Sequence, residues 1–324
     1  MPSGFAVGPS VTWQKPNDTV RVKTWAVGSI RRYYSVGMEA ELPRFSGRNI
    51  DITLKAEHLD MPQLDFYGEG PNSLKSNRTD YRREATRFAF GVAWPVLPHV
   101  RPRCDAEQIF LNVGPGTNDA VTSTELKFGP LQAPGIDHQT NYLTAGCGVQ
   151  FDFRDRPENP HKGTFLRLGY HGFAAEQNSV FSFTRASGQI EQYIPFFNEK
   201  RVIALRAAAD LSFHNRDQVV PFYMQPTLGG ANDLRGFRFL RFYDDNAVVA
   251  NAEYRWEIFT GFDMAIFADA GEVFPRPSQF SLSYIKSDMG FGLRFNNQRN
   301  LVMRIDTGFS KEGFQVWVSF NKVF

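Results

Sequence analysis

The chain has 324 residues, with 36 basic against 34 acidic side chains and a formal net charge of +2. That balance points away from nucleic acid and other polyanionic partners. No run of about 18 apolar residues occurs, which leaves no transmembrane helix, but a spanning strand needs only about 9–11 residues, half of them turned to a polar lumen, and a mean hydropathy of −0.36 fits such strands.

The N-terminal MPSGFAVGPS has neither a basic region nor an apolar one, so an exported chain would have lost its signal or be a fragment. A first strand is expected near Phe5–Trp13. Period-2 alternation then recurs along the chain. Ile50–His58 sets Ile50, Ile52, Leu54 and Ala56 against Asp51, Thr53, Lys55 and Glu57. Leu143–Arg154 sets Leu143, Ala145, Cys147, Val149, Phe151 and Phe153 against Thr144, Gln150, Asp152 and Arg154. Ile203–Phe213 opposes Arg206 and Asp210 to an apolar face, and Leu301–Phe309 does the same with Arg304 and Asp306. Cys104 and Cys147 stand far apart, form no zinc or redox spacing, and read as two unpaired thiols.

Connections alternate in length. Short ones are expected near Lys15–Thr19, Phe45–Asn49, Pro95–His99, Phe197–Lys200, Thr260–Gly261 and Asn296–Arg299. Long ones are expected near Met61–Asp80, Gly114–Gln139, Leu228–Asp245 and Val273–Leu282. This is the pattern of a transmembrane barrel, with short turns at one end and long loops at the other. About 15 strands can be counted, the last ending at Phe324 on the short-turn side. Single-chain bacterial barrels usually have an even number, so a strand before Met1 is expected to be missing. One domain, 1–324, accounts for the whole chain.

The loop Leu228–Asp245, LGGANDLRGFRFLRFYDD, is too long, charged and aromatic for a plain turn. The strands after it give it a destination. In Ala247–Ile258 the apolar set faces outward, so Glu253 faces the lumen. In the next strand Phe262, Met264, Ile266 and Ala268 face out and Asp269 faces in. A tight turn at Thr260–Gly261 makes Glu253 and Asp269 cross-strand neighbours. Two opposed carboxylates repel, and a planar guanidinium can serve both, so Arg235 is the candidate clamp. Gly236 permits a close backbone approach, and Phe237, Phe239 and Phe242 would wedge the loop against the wall. The competing reading leaves Arg235 in solvent and pairs the acids with Arg255 or other lumen bases. Two facing acids would also suit a glycosidase, but nothing else resembles a sugar cleft. No GxSxG or HExxH occurs, and the six histidines show no ligand spacing, so neither catalytic nor metal residues are assigned, no cofactor is expected, and the chain does not read as an enzyme.

Leu234-Arg235-Gly236-Phe237 resembles the [VIL]RG[FY] motif in the sixth extracellular loop of the Omp85 superfamily, the BamA- and TamA-like outer-membrane barrels. Phe267–Gly271, FADAG, resembles that family's FxDxG strand element, and Glu253 falls where the family has a strand acid. Asp152–Gly163, DFRDRPENPHKG, resembles its DxRDxPxNPxxG turn, and Phe320 and Phe324 resemble the C-terminal β-signal. The resemblance implies an all-β, 16-stranded transmembrane barrel with an inward-folded loop, in the bacterial outer membrane. It implies insertion of outer-membrane proteins or translocation of polypeptides, with membrane lipids, unfolded clients and periplasmic accessory proteins as partners. Family members normally carry POTRA domains before the barrel, and none is visible here. A passive or structural channel is the alternative function.

Overall fold

The computed structural model describes residues 6–17, 19–297 and 301–320. Short strands β1 (Ala6–Val7) and β2 (Ser10–Gln14) lie end to end along the same edge of β3 (Arg21–Ser29). Each following strand pairs with its predecessor: β4 (Tyr34–Leu42), β5 (Asp51–Phe66), β6 (Thr79–Ala93), β7 (Val100–Pro115), β8 (Tyr142–Asp152), β9 (Gly163–Ala175), β10 (Phe183–Phe196) and β11 (Arg201–Phe213). Inside the next connection, β12 (Thr227–Leu228) and β13 (Phe242–Tyr243) pair with each other, and Tyr243 also bridges to Glu69 of the β5–β6 loop. The wall resumes with β14 (Asn246–Phe259), β15 (Phe262–Phe274), β16 (Lys286–Asn296), β17 (Leu301–Ser310) and β18 (Gly313–Phe320). Among the described residues the result is one antiparallel sheet of 16 strands; because β1 and β2 share a line, they make 15 staves, as the alternation predicts.

The sheet is a barrel. At the long-loop side Lys75 Nζ, between β5 and β6, reaches across the mouth and donates to the carbonyl of Glu312 in the β17–β18 turn at 2.7 Å. At the short-turn side, Leu301 N–H donates to Glu158 O across the mouth at 3.4 Å. One face is apolar and outward, with Ile266 51% and Val318 55% exposed. The other buries Glu253, Arg255, Asp269, Arg294, Arg304 and Asp306. Period-2 alternation writes this division into every strand.

Two expectations need correction. The long loop after β5 does not begin at Met61: the strand runs on to Phe66, because a register shift between Met61 and Leu64 takes Pro62, which has no N–H to give the ladder. Nor are the cysteines free. Cys104 and Cys147 are direct partners across β7 and β8, their Cα atoms 4.0 Å apart, and they form a disulfide. Register brings them together across 43 residues of sequence, and sequence spacing carries no trace of that pairing.

The long loops build a second core above the lumen. Phe66, Tyr81, Phe128, Phe181, Phe222 and Tyr243 belong to one buried aromatic cluster drawn from four connections and the strand ends below them. Phe66 meets Phe128, Phe222 and Tyr243 with ring centroids about 5 Å apart, in the tilted and edge-on arrangements that aromatic quadrupoles favour. At the opposite end, Arg154 ties down the β8–β9 turn. It holds Asp152 through two bonds of 2.8 Å, reaches Glu191 at 3.2 Å, and lies over the Phe165 ring.

Candidate functional site

The loop between β11 and β14 enters the barrel on a narrow stalk. β12 and β13 pair Thr227 with Tyr243 and Leu228 with Phe242, and Arg241 N–H donates to Leu228 O at 3.0 Å. Gly229 starts the bend at φ 114°, where a Cβ would lie 2.2 Å from Arg238 O, a conformation and a space that favour glycine. Leu228, Leu234, Phe237 and Phe242 then pack with Ala247, Val249 and Val273 of the wall. Phe237 and Phe242 are buried, while Phe239 is only half-buried.

That apolar wedge carries Arg235, 1% exposed, to the inner wall. Its Nε and Nη2 donate to the two oxygens of Asp269, each at 2.8 Å, and its backbone N–H to Oδ2 at 3.2 Å. Its Nη1 donates to Glu253 Oε2 at 2.6 Å, and the guanidinium carbon lies 3.4 Å from the Phe267 ring centre. One planar fork therefore reaches both acids and stacks on the residue between them. Arg255 and Arg294 also donate to Glu253, at 2.7 and 2.8 Å. The two readings of these acids are thus not exclusive: Glu253 is shared by three arginines.

The register of the acids differs from expectation. A shift between Glu257 and Phe259 moves the β14–β15 ladder, so Glu253 stands opposite Phe267 and Asp269 opposite Asn251. The two acids remain on one face as diagonal neighbours, which is what lets one guanidinium span them. Asp269 instead has Asp288 directly opposite, across β15 and β16.

Gly236 explains how the backbone comes so near. A Cβ there would lie 2.6 Å from the Cβ of Asp288, and one on Gly308 would lie 2.5 Å from the carbonyl of Arg235. The loop and β17 thus meet glycine to backbone. Ser310 Oγ donates to Gly236 O and Trp317 Nε1 to Arg235 O, both at 2.8 Å. The docking surface accordingly runs from β14 to β18.

Several contributors are not among the residues picked from sequence. Asp306 accepts from Arg294 Nη1 at 2.7 Å and lies 3.9 Å from Arg235 Nη1. Arg304 Nη2 donates to Ala231 O and Asn232 Oδ1 at 2.6 and 3.0 Å. Asn251 Nδ2 donates to Asp269 Oδ1 and to Asp233 O. A signal exists for Arg304 and Asp306, whose parity in β17 is inward; nothing local says that they meet this loop. Phe320 lies on the exposed outer face of β18, and Phe324 falls outside the described residues.

A second arginine anchors the return limb. Arg241, also 1% exposed, donates from Nη2 to Glu312 Oε1 at 2.8 Å and to Ser73 O at 2.7 Å, and from Nη1 to Ser73 Oγ at 3.0 Å. Its guanidinium lies 4.5 Å from the ring centres of both Tyr67 and Phe242. Nearby, Glu69 accepts from Gln225 Nε2. Burial pushes the Glu69 carboxyl up to about 8, the Gln225 bond opposing and Asp244 and Asp245 adding to the rise. Burial likewise lifts Asp244 to about 7.

The Omp85 superfamily domain matches residues 136–311, just over half of the chain. The fold is similar to BamA from Haemophilus ducreyi lacking POTRA domains 1-3, with a TM-score of 0.72 and 14% identity, covering 98% of this chain and 68% of that one. It is also similar to CdiB from Acinetobacter baumannii, with a TM-score of 0.58 and 12% identity, covering 97% of this chain and 55% of that one. No curated protein sequence matches. At these identities the two structures speak to fold alone.

Proposed function

The chain belongs to the Omp85 superfamily, and from that membership we propose that it is an outer-membrane barrel that takes part in outer-membrane protein insertion or polypeptide translocation. Arg235, Gly236, Phe237, Glu253 and Asp269 act as a lock that holds the loop in the lumen. Phe320, with Phe324 beyond the described residues, serves as the C-terminal assembly signal. Unfolded barrel clients and periplasmic accessory proteins are the proposed partners.

One observation carries this reading: the lumen is occupied by the chain's own loop, ion-paired to the wall, beneath an aromatic cap. A passive pore has no use for a buried arginine that spends its whole fork on holding a plug. Residual polar lining on β5, β7 and β9, where Lys55, Arg101, Asp105 and Arg167 surround a cavity of about 340 Å³, is the feature that favours the channel alternative.

The test is reconstitution in liposomes with a urea-unfolded barrel protein as client, its folding followed by heat-modifiable gel mobility. Wild type should accelerate folding over empty liposomes, and Arg235→Ala should lose most of that gain. No acceleration by wild type, together with a large steady conductance in planar bilayers that ignores Arg235, would establish the channel instead.

A further inference from the structure

The connection between β15 and β16 turns back over the outer face of the wall. Parity shows it. Gly271 and Val273 face the lumen: a Cβ on Gly271 would lie 3.0 Å from Leu228 Cδ1, and Val273 belongs to the buried cluster of Leu228, Leu234 and Phe237. Glu272 and Phe274 have the opposite parity and point outward, yet they are 1% and 3% exposed. The loop covers them. Ser281 N–H donates to both carboxyl oxygens of Glu272 at 3.3 Å, and Phe280 meets the Phe274 ring edge-on with centres 5.6 Å apart.

The covering segment has the make-up of a water–lipid boundary. Phe280 to Tyr284 reads FSLSY, apolar side chains alternating with serines. Phe280, Leu282 and Tyr284 are 42%, 75% and 44% exposed. Its backbone donors are met within the turn: Ser283 N–H donates to Ser281 Oγ at 3.4 Å and Tyr284 N–H to Ser281 O at 3.0 Å, as a poorly hydrated site requires. Its height fits as well. At the short-turn end Phe262 stacks on Phe259 at 5.0 Å and meets Phe295 edge-on at 5.2 Å. From Phe262 to Glu272 the strand advances about ten residues, and at about 3.3 Å each with a tilt of about 40° it rises about 25 Å, the height of the apolar band in a transmembrane barrel. Between these levels β15 turns Met264, Ile266, Ala268 and Ala270 outward, with Met289 and Phe291 beside them on β16.

We propose that the β15–β16 loop is a membrane anchor, seated through Phe280, Leu282 and Tyr284 in the headgroup boundary of the leaflet on the long-loop side. The inference rests on the reading of the chain as a barrel that spans a bilayer. The occupant is lipid because the exposed face of the loop continues the lipid-facing wall. Glu272, the charge at the top of that face, is covered by the loop itself, so along β15 no exposed ionised side chain separates Ile266 from Leu282. Aromatic and aliphatic side chains at the end of an apolar band favour that boundary. Asp269 and Asp288 lie on the two strands that this loop joins, so its seat sets the depth at which they stand.

The experiment uses the full chain in liposomes of phosphatidylcholine and phosphatidylglycerol. Both native cysteines are held in the disulfide, so Leu282→Cys, Leu131→Cys and Met289→Cys can each be labelled singly with a nitroxide. Collision rates are then measured with oxygen, which concentrates in the bilayer, and with a nickel chelate, which stays in water. Leu131, 96% exposed in the β7–β8 loop, marks water, and Met289, 68% exposed on the wall, marks lipid. The oxygen-to-nickel ratio at residue 282 should exceed that at residue 131 several-fold and approach that at residue 289. Protein packing cannot imitate this result, because Leu282 is exposed in the fold. A ratio at 282 equal to that at 131, with 289 still in lipid, overturns the anchor alone. A ratio at 289 as low as that at 131 overturns the membrane reading and the anchor with it.

Discussion

Arg235→Ala tests the lock most directly, and the structure says where its cost should fall. Glu253 loses one guanidinium and keeps two, from Arg255 and Arg294. Asp269 loses both side-chain bonds of 2.8 Å and keeps Asn251 and the backbone N–H of residue 235, while facing Asp288 in register. A buried charge stripped of its partner costs about 3–5 kcal/mol, most of it the desolvation left uncompensated. The variant should therefore be destabilised by about that amount in urea unfolding from lipid vesicles, followed by tryptophan fluorescence. Trp317 reports locally, since its indole N–H donates to Arg235 O. If the loss belongs to Asp269, adding Asp269→Asn should return about 1–2 kcal/mol of it, because the orphaned charge is gone. A loss below about 1 kcal/mol, the level of an exposed pair, or a double variant whose losses simply add, would refute the argument.

The remaining predictions bear on neighbouring parts of the fold. Gly308→Val should displace the loop, because a Cβ at 2.5 Å from the Arg235 carbonyl meets backbone and cannot be accommodated by a side-chain swing; faster proteolysis within Leu228–Asp245 is the readout. Wild type should migrate differently on reducing and non-reducing gels, and the double Cys→Ser variant should lose at most about 4 kcal/mol, the chain-entropy limit for a loop of this size. Arg241→Ala should free the β5–β6 loop and the β17–β18 turn together, seen as joint loss of amide protection around Ser73 and Glu312. Glu69 titrates near 8 in the fold and near about 4.3 when unfolded, so the folded cap holds a proton that the unfolded chain releases. Its contribution to stability therefore falls as pH rises from about 4 to 8 and is constant outside that window; Glu69→Gln should flatten the pH dependence of cap proteolysis across it.

Much of the site was legible because a barrel wall has a strict period of two. Parity alone assigns Glu253 and Asp269 to the lumen, and it would assign Arg294, Arg304 and Asp306 there too. The destination of the loop was legible because LRGF and FADAG stand at fixed places around those strands. Three things were not legible. Register was hidden, since the shift between Glu257 and Phe259 has no mark as plain as a proline or a glycine pair. The Cys104–Cys147 bond was hidden for the same reason, being set by how β7 and β8 align across a long loop. The aromatic cap was hidden because Phe66 ends a strand while Phe128, Phe181 and Phe222 come from three separate connections with no common period.

The charge pattern of the wall explains why a single arginine suffices. Around the docking point the strands supply four carboxyls, Glu253, Asp269, Asp288 and Asp306, against three guanidiniums, Arg255, Arg294 and Arg304. Without the loop, Asp269 loses the guanidinium that holds both of its oxygens, and Arg235 supplies it. The second contact has the opposite sense: Asp233 of the loop lies 3.6 Å from Arg206 of β11. The loop thus presents a cation and an anion two residues apart to a wall that is their complement, so a sliding or inverted loop would set like against like. Apolar burial by Phe237 and Phe242 drives the loop inward but does not fix its register, because hydrophobic contact has no direction. The ion pairs do fix it, and that choice of a single docked position is the use to which buried charge is best suited when its net stabilisation is small.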